Sequence, residues 1–435
     1  MLKFFRRVMA TVALLTFMGT AISTAQSRSD GSIYSRFGLG ERAFFLSSQS
    51  QAMGHAGSAL GSFRYANLAN PAALSDQFFT RVNGGMTMER LTSSETGLDD
   101  SVLNSGRFNA VHLSFPVRAR NTGLGFALEP FTRVNYRIDK TSTLVPNPTS
   151  GTEVPVLTTF QGNGGLYQLT GALGQRITPD LSAGLAVSYV FGLLEEAQRT
   201  TFNNVRFTDS DISNNTRLSG ASATLGLRFQ RQGILGLDRP LAVGLSVTLP
   251  SSLSGERTIT LDAGTTSDTL TVAGSGHVDL PVRVLFGVMF QPATEWTVVA
   301  DVHHERWSSL SSDFSLPGVG ASSEGIMDRT RLAAGFEYWP GARRPFGPYF
   351  VRMAYRMGVY MDESYVSPHP SEPIRSVGVT GGLSVPTGIP GTTIDLNLDV
   401  GRRGTTSDGL VRDRYMKFGI NINFGERWFD RLPLG

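Results

Sequence analysis

The chain has no cysteine, so it can hold neither a disulfide framework nor a cysteine-based metal site, and no lipidated cysteine follows its N-terminal segment. Lysine occurs only at Lys3, Lys140 and Lys417, so nearly all the basic charge is arginine. After residue 25 no run approaches the ~18 apolar residues of a membrane-spanning helix. The formal charge of +3 comes from Lys3, Arg6 and Arg7; without them 36 basic residues face 36 acidic ones, and the balance implies neither nucleic acid nor anionic lipid as a partner. No phosphate loop, Rossmann glycine pattern or nucleic-acid motif is present, and no cofactor is implied.

What is present begins with an export signal. Lys3, Arg6 and Arg7 precede the apolar stretch Val8–Ile22, and Ser23-Thr24-Ala25 has the small-x-small form of a cleavage site. Residues 1–25 are therefore expected to be a signal peptide and Gln26 the mature N-terminus. Beyond it, apolar and polar residues alternate. In Tyr415–Phe424, Met416, Phe418, Ile420, Ile422 and Phe424 share one face, opposite Tyr415, Lys417, Gly419, Asn421 and Asn423. Strand side chains point to opposite faces with a period of two. Ile394, Leu396, Leu398 and Val400 alternate with Asp395, Asn397 and Asp399 in the same way, and Val282 to Phe290 and Leu181 to Phe191 repeat the pattern.

Fourteen such runs can be counted, bounded by Gly, Pro, Asn and Asp, from Phe78–Leu91 to Val411–Phe424. Short turns and long polar links alternate between them. Runs of over ten residues exceed the ~5–6 of a soluble sandwich strand and suit tilted strands that cross a bilayer. An export signal with an even number of such strands predicts an all-β, transmembrane antiparallel barrel of about fourteen strands in the outer membrane of a Gram-negative bacterium, with the apolar faces toward lipid. Trp296, Trp307, Tyr338, Trp339, Tyr349 and Tyr360 sit near strand ends, where interfacial aromatic girdles are expected. The usual terminal aromatic is replaced by a tail through Trp428 and Phe429 to Gly435, leaving Phe424 or Phe429 as the assembly signal.

Residues 26–76 do not alternate. They contain Met53-Gly54-His55-Ala56-Gly57 and then Asn70-Pro71-Ala72, and small residues suit a chain packed inside a barrel. Pro71 forces Asn70 out of the helical region, and an Asn there can hydrogen-bond the local backbone. The expected organisation is a plug at 26–76 and a barrel at 77–435. This layout, with Met-Gly-x-Ala-Gly and Asn-Pro-Ala ahead of about fourteen alternating strands, resembles the FadL/TodX-type outer-membrane transporters. Ser32-Ile33-Tyr34-Ser35-Arg36-Phe37-Gly38-Leu39-Gly40 resembles one branch of FadL-like proteins. The resemblance implies passive uptake of a hydrophobic small molecule of the long-chain fatty acid or hydrocarbon type, with Asn70, Pro71 and Ala72 in a hatch. A PorV-like relative, a barrel that docks a protein partner in a secretion or assembly machine, remains the alternative. The environment implied is outer-membrane lipid.

No catalytic set stands out. His112 and Ser114 share a lumen face, but no third group can be assigned to them. His303 and His304 are adjacent on a strand and point apart, so they cannot share a metal. Asp301, His303 and Glu305 face the lumen, and Arg331, Arg352 and Arg356 are expected to answer them there as a charge network rather than a metal site.

Overall fold

A computed structural model describes residues 31–62, 64–145, 153–203, 207–233, 239–262, 269–319, 325–368 and 373–426. The expected signal peptide and the tail beyond Glu426, with Trp428 and Phe429, lie outside the described residues. Among the described residues no helix is long and apolar enough to cross a membrane. The wall is a closed antiparallel barrel with fourteen passes.

The strands are β1 (Thr80–Ser94), β2 (Ser101–Arg118), β3 in two halves (Thr122–Pro130 and Tyr136–Leu144), β4 (Val154–Arg176), β5 (Leu181–Phe202) and β6 (Ser210–Arg231). Then come β7 (Leu241–Thr248 continuing as Ser251–Asp262), β8 (Thr269–Leu280 continuing as Arg283–Ala293) and β9 (Trp296–Glu305). The circuit ends with β10 (Arg329–Tyr338), β11 (Ala354–Glu363), β12 (Arg375–Pro386), β13 (Thr393–Arg403) and β14 (Arg412–Glu426). β14 closes on β1 from Thr80↔Glu426 to Ser94↔Arg412.

Side-chain exposure follows the alternation. Asp395, Asn397 and Asp399 are buried inside, while Leu398 and Val400 are exposed outside. Val187, Leu225, Phe286, Val379 and Phe418 join the exposed apolar band. Such a continuous band is unfavourable in water and suits the hydrocarbon of a bilayer. One end of the barrel carries short turns and the other long hairpins; in barrels of this class these are the periplasmic and extracellular ends.

Three sequence expectations change. The long links around 140–163, 196–215 and 250–275 are largely strand, because β3 to β8 run on as paired ribbons past the apolar band. Tyr349 does not start a strand; Tyr349–Arg352 is a single helical turn at the short-turn end, and β11 begins at Ala354. Two aromatics assigned to girdles lie inside. Trp307 is fully buried and stacks on Tyr365, with centroids 4.2 Å apart, and Tyr360 faces the lumen. Trp296, Tyr338 and Tyr355 do cluster on the outer face at the short-turn end.

Candidate functional site

Residues 31–76 run through the lumen from one end to the other. At the long-hairpin end Gly38 N donates to Pro317 O at 2.9 Å, and Leu39 N donates to the Tyr365 hydroxyl at 2.9 Å. Ser32 bonds Asp413, and Tyr34 bonds the Val411 carbonyl. Toward the same end, Arg42 pairs with Glu305 at 3.0 Å and Glu41 pairs with Arg403. Gly54 has φ +68°, a conformation that favours glycine, and its N–H donates to Thr380 Oγ1 at 2.7 Å. At the short-turn end Asp76 pairs with Arg228 at 2.8 Å and also with Arg176.

Asn70 caps the 3-10 turn Pro71–Asp76. Its Oδ1 accepts from Ala72 N at 3.2 Å, and its Nδ2 donates to Ser58 O and Leu227 O, each at 3.1 Å. Asn-Pro-Ala thus ties the inner segment both to itself and to the wall. The wall meets it with glycine. Gly123, Gly174, Gly184 and Gly226 occupy successive cross-strand positions, and a methyl at Gly174, Gly184 or Gly226 would overlap Asn70 or Pro71. Sequence reasoning missed this row. Its signal was glycine recurring at lumen-facing positions of consecutive strands.

The predicted charge network divides. Asp301 accepts from Gly57 N at 2.7 Å and Ser58 N at 2.8 Å, so it binds backbone of the inner segment rather than an arginine. Glu305 takes Arg42 and Arg329, at 3.0 and 3.3 Å, and stands 3.3 Å from His303. Arg331 pairs with Asp362 at 2.8 Å. Arg356, whose side chain is fully buried, lies 2.7 Å from Glu337 and 3.4 Å from Asp395, and donates to the Tyr65 hydroxyl at 2.6 Å. Arg352 is not among them: it ends the helical turn outside the barrel. Sequence reasoning missed Arg42, Arg64, Arg329, Glu337 and Asp362; the two on the inner segment carry no strand parity to reveal them. His112 and Ser114 point inward and are buried, as read from parity. His112 Nε2 lies 3.3 Å from Glu129, and Ser114 donates to Gln77 at 3.2 Å, so the two have separate partners.

The wall is incomplete at one place. The lower half of β3 pairs with both β2 and β4, whereas Tyr136–Leu144 pairs with β4 alone. Ser101–Ala110 of β2 pairs only with β1. No strand pairing joins these two stretches, which leaves a gap in the side of the barrel. Its cause lies between the halves of β3. Pro130 ends the first half, and the chain from Phe131 to Asn135 then turns inward. Phe131 and Val134 are buried, and Thr132–Arg133 forms a two-residue ladder with Glu41–Arg42 of the inner segment.

Behind this gap is a cavity of about 450 Å³. It is bordered by Gly106–Asn109 of β2, by the inturned residues around Arg133, and by residues 41–45 of the inner segment. Six cationic side chains line it: Arg42, Arg107, Arg133, Arg331, Arg403 and Lys417. Against them stand Glu41, Asp362 and Asp399, with Glu89 just behind at 3.3 Å from Arg107 and Glu305 at 3.0 Å from Arg42. Burial alone would raise the Glu41 carboxyl, but Arg403, Lys417 and Arg107 hold it well below the usual carboxylate range. Phe108, at the lip, is exposed.

A barrel with fourteen passes and residues 31–76 threaded through its lumen has the fold of the FadL-like barrels. The chain itself belongs to the BamG family, which matches residues 4–433. No curated protein matches it. Among solved structures it is similar to the CymD monoaromatic hydrocarbon channel, with 14% identity, TM-score 0.56, and 91% of this chain and 100% of that one covered. A FadL homologue of Pseudomonas aeruginosa is similar too, with 12% identity, TM-score 0.57, and 88% and 99% covered. So is the Ralstonia pickettii toluene transporter TbuX, with 15% identity, TM-score 0.55, and 87% and 97% covered. At such identities the likeness is one of fold.

Proposed function

We propose that this barrel sits in the outer membrane, delivered there by its signal peptide, and takes up a hydrophobic solute. The inner segment acts as a hatch with Asn70-Pro71-Ala72 at its periplasmic hinge, and solute leaves sideways through the gap beside β3. The observation that carries this reading is the cavity directly behind that gap. Its six cationic groups against five acidic ones, Glu305 and Glu89 included, select among hydrophobic solutes: an amphiphile with a carboxylate head is favoured over a plain hydrocarbon, which would lose solvation there and gain no partner. The structural neighbours named for hydrocarbons and toluene support uptake of apolar molecules in general.

The test is binding of a fluorescent long-chain fatty acid by the purified barrel, with the matching alcohol in parallel. Binding of the acid should weaken about tenfold in Arg107→Gln/Arg133→Gln, a loss worth ~1.4 kcal/mol. Equal binding of acid and alcohol, or no loss in the variant, would sink the fatty-acid assignment.

A second reading, a barrel that docks a protein partner, is favoured by the filled lumen and by the turn at the short-turn end. Phe346 is 99% and Phe350 72% exposed there. A stoichiometric protein co-purifying with the barrel, with no lipidic ligand, would select this reading.

A further inference from the structure

The outer face of the barrel carries arginines where apolar residues would be expected. On β1, Arg90 follows Met88 on the outward row; on β14, Arg414 follows Met416; on β13, Arg402 follows Val400. All three are exposed. Arg402 and Arg414 are direct cross-strand partners, and Arg90 opposes Met416, one diagonal step from Arg414. Like charges directly opposite one another destabilise a sheet. Among the described residues none of the three forms an ion pair, and the outward carboxylate at this end of β11, Glu363, is already taken by Arg375 at 2.8 Å. Three guanidinium groups thus converge with no anion to offset them.

Beneath them lies an open groove of about 690 Å³ in the outer wall, floored by Val359, Val377, Val379 and Val400 and edged by Met416. Apolar floor and cationic rim meet at one level, on the long-hairpin side of the apolar band. A lone interfacial arginine would extend its head to water, but a converging trio matches the charge and fork geometry of a phosphate.

We propose that this face binds one phosphate-bearing lipid of the outer leaflet. Its phosphate is gripped by Arg90, Arg402 and Arg414, and an acyl chain lies along Val379, Val400 and Met416. The inference rests on the outer-membrane placement proposed above but not on uptake, because the cluster lies outside the barrel wall. The near-zero net charge of the mature chain hides it; only the strand register brings the three arginines together.

The experiment is native mass spectrometry of the full-length barrel purified from outer membranes in mild detergent. The wild type is compared with Arg90→Gln/Arg402→Gln/Arg414→Gln and with the three matching Arg→Lys changes. One phosphorylated lipid should stay on the wild type, should fall about tenfold in occupancy in the Gln variant, and should be partly kept by the Lys variant. A dephosphorylated form of the same lipid should bind the wild type no better than the Gln variant, and millimolar inorganic phosphate should not displace the lipid. Equal retention by all three proteins would mean ordinary boundary lipid and would overturn the proposal; so would full displacement by inorganic phosphate, which would mark a simple ion site. Heat-modifiable gel mobility establishes that each variant is folded. Fatty-acid binding measured on the same samples separates failure here from failure of the uptake reading, since the arginines at the gap remain intact in these variants.

Discussion

Arg356 is held from three sides, by two carboxylates and one hydroxyl. Glu337 and Asp395 flank it on the barrel wall, and Tyr65 reaches it from the inner segment. Glu337 also accepts from Gln49 at 3.2 Å and pairs with Arg64, so the cluster joins wall and inner segment. A buried pair is weak evidence of stability, yet breaking one leaves a carboxylate without its counter-charge. Arg356→Ala is expected to lower barrel stability by ~3–5 kcal/mol, read as a shift in the urea midpoint. Arg344→Ala, on the exposed turn, should leave the midpoint unchanged. That Arg356 faces the lumen was legible, because it falls in step with Ala354 and Gly358 on one side of β11. The same parity places Tyr360 inside. Its assignment to a girdle came from closeness to a strand end, a weaker rule than the count of two. Trp307 falls in step with His303 and Glu305, so the same parity places it inside, where the chain folds inward past the end of the strand.

At the scale of elements, the inner segment was legible as a whole and illegible in detail. Its lack of alternation and its small residues marked it as something other than wall. Its partners could not be read, because contacts such as Gly57–Asp301 span 244 positions and depend on which wall residue stands at each height. The segment also carries a pH dependence. Burial, and then Arg331, Lys417 and Arg107, hold the His55 imidazole well below its ordinary range, so it is neutral when docked. A freed segment would bind a proton near the ordinary His value, about 6.5, whereas the docked one does not. Docking is therefore fully favourable above about pH 6.5 and weakens as pH falls below it. Glu41, whose docked value is also depressed, adds a second loss that begins near pH 4.3. Protease cleavage of the N-terminal segment should rise in two stages on acidification, and His55→Gln should reduce the first. A profile unchanged by that substitution would show that His55 does not govern docking.

For the whole molecule, the fourteen strands, their order and their outward faces followed from alternation alone. The gap did not. Gly123–Asp139 reads as one strand because period-two spacing continues across residues 131–135, and only Pro130 hints at the inward turn. The extended hairpins were likewise hidden, since strands that rise above the lipid need no apolar face and so lose the signal that identifies the rest. Together these features give a barrel blocked along its axis and open at its side, and that sets the expectation for ion flow. The intact protein should conduct poorly in planar bilayers, because residues 31–76 occupy the lumen from Asp413 at one end to Arg228 at the other. Deleting residues 26–69 removes Arg42, Arg64 and Tyr65 but leaves the strand ladder from β1 to β14 untouched, so the barrel should still assemble and show heat-modifiable mobility. The lumen it leaves is lined by Asp301, Glu305, Arg329 and Arg331, which water can then solvate. Conductance should rise to that of a steady, ion-permeable pore. Unchanged conductance in an assembled deletion mutant would mean that the segment is not what seals the lumen, and weight would move to the docking reading.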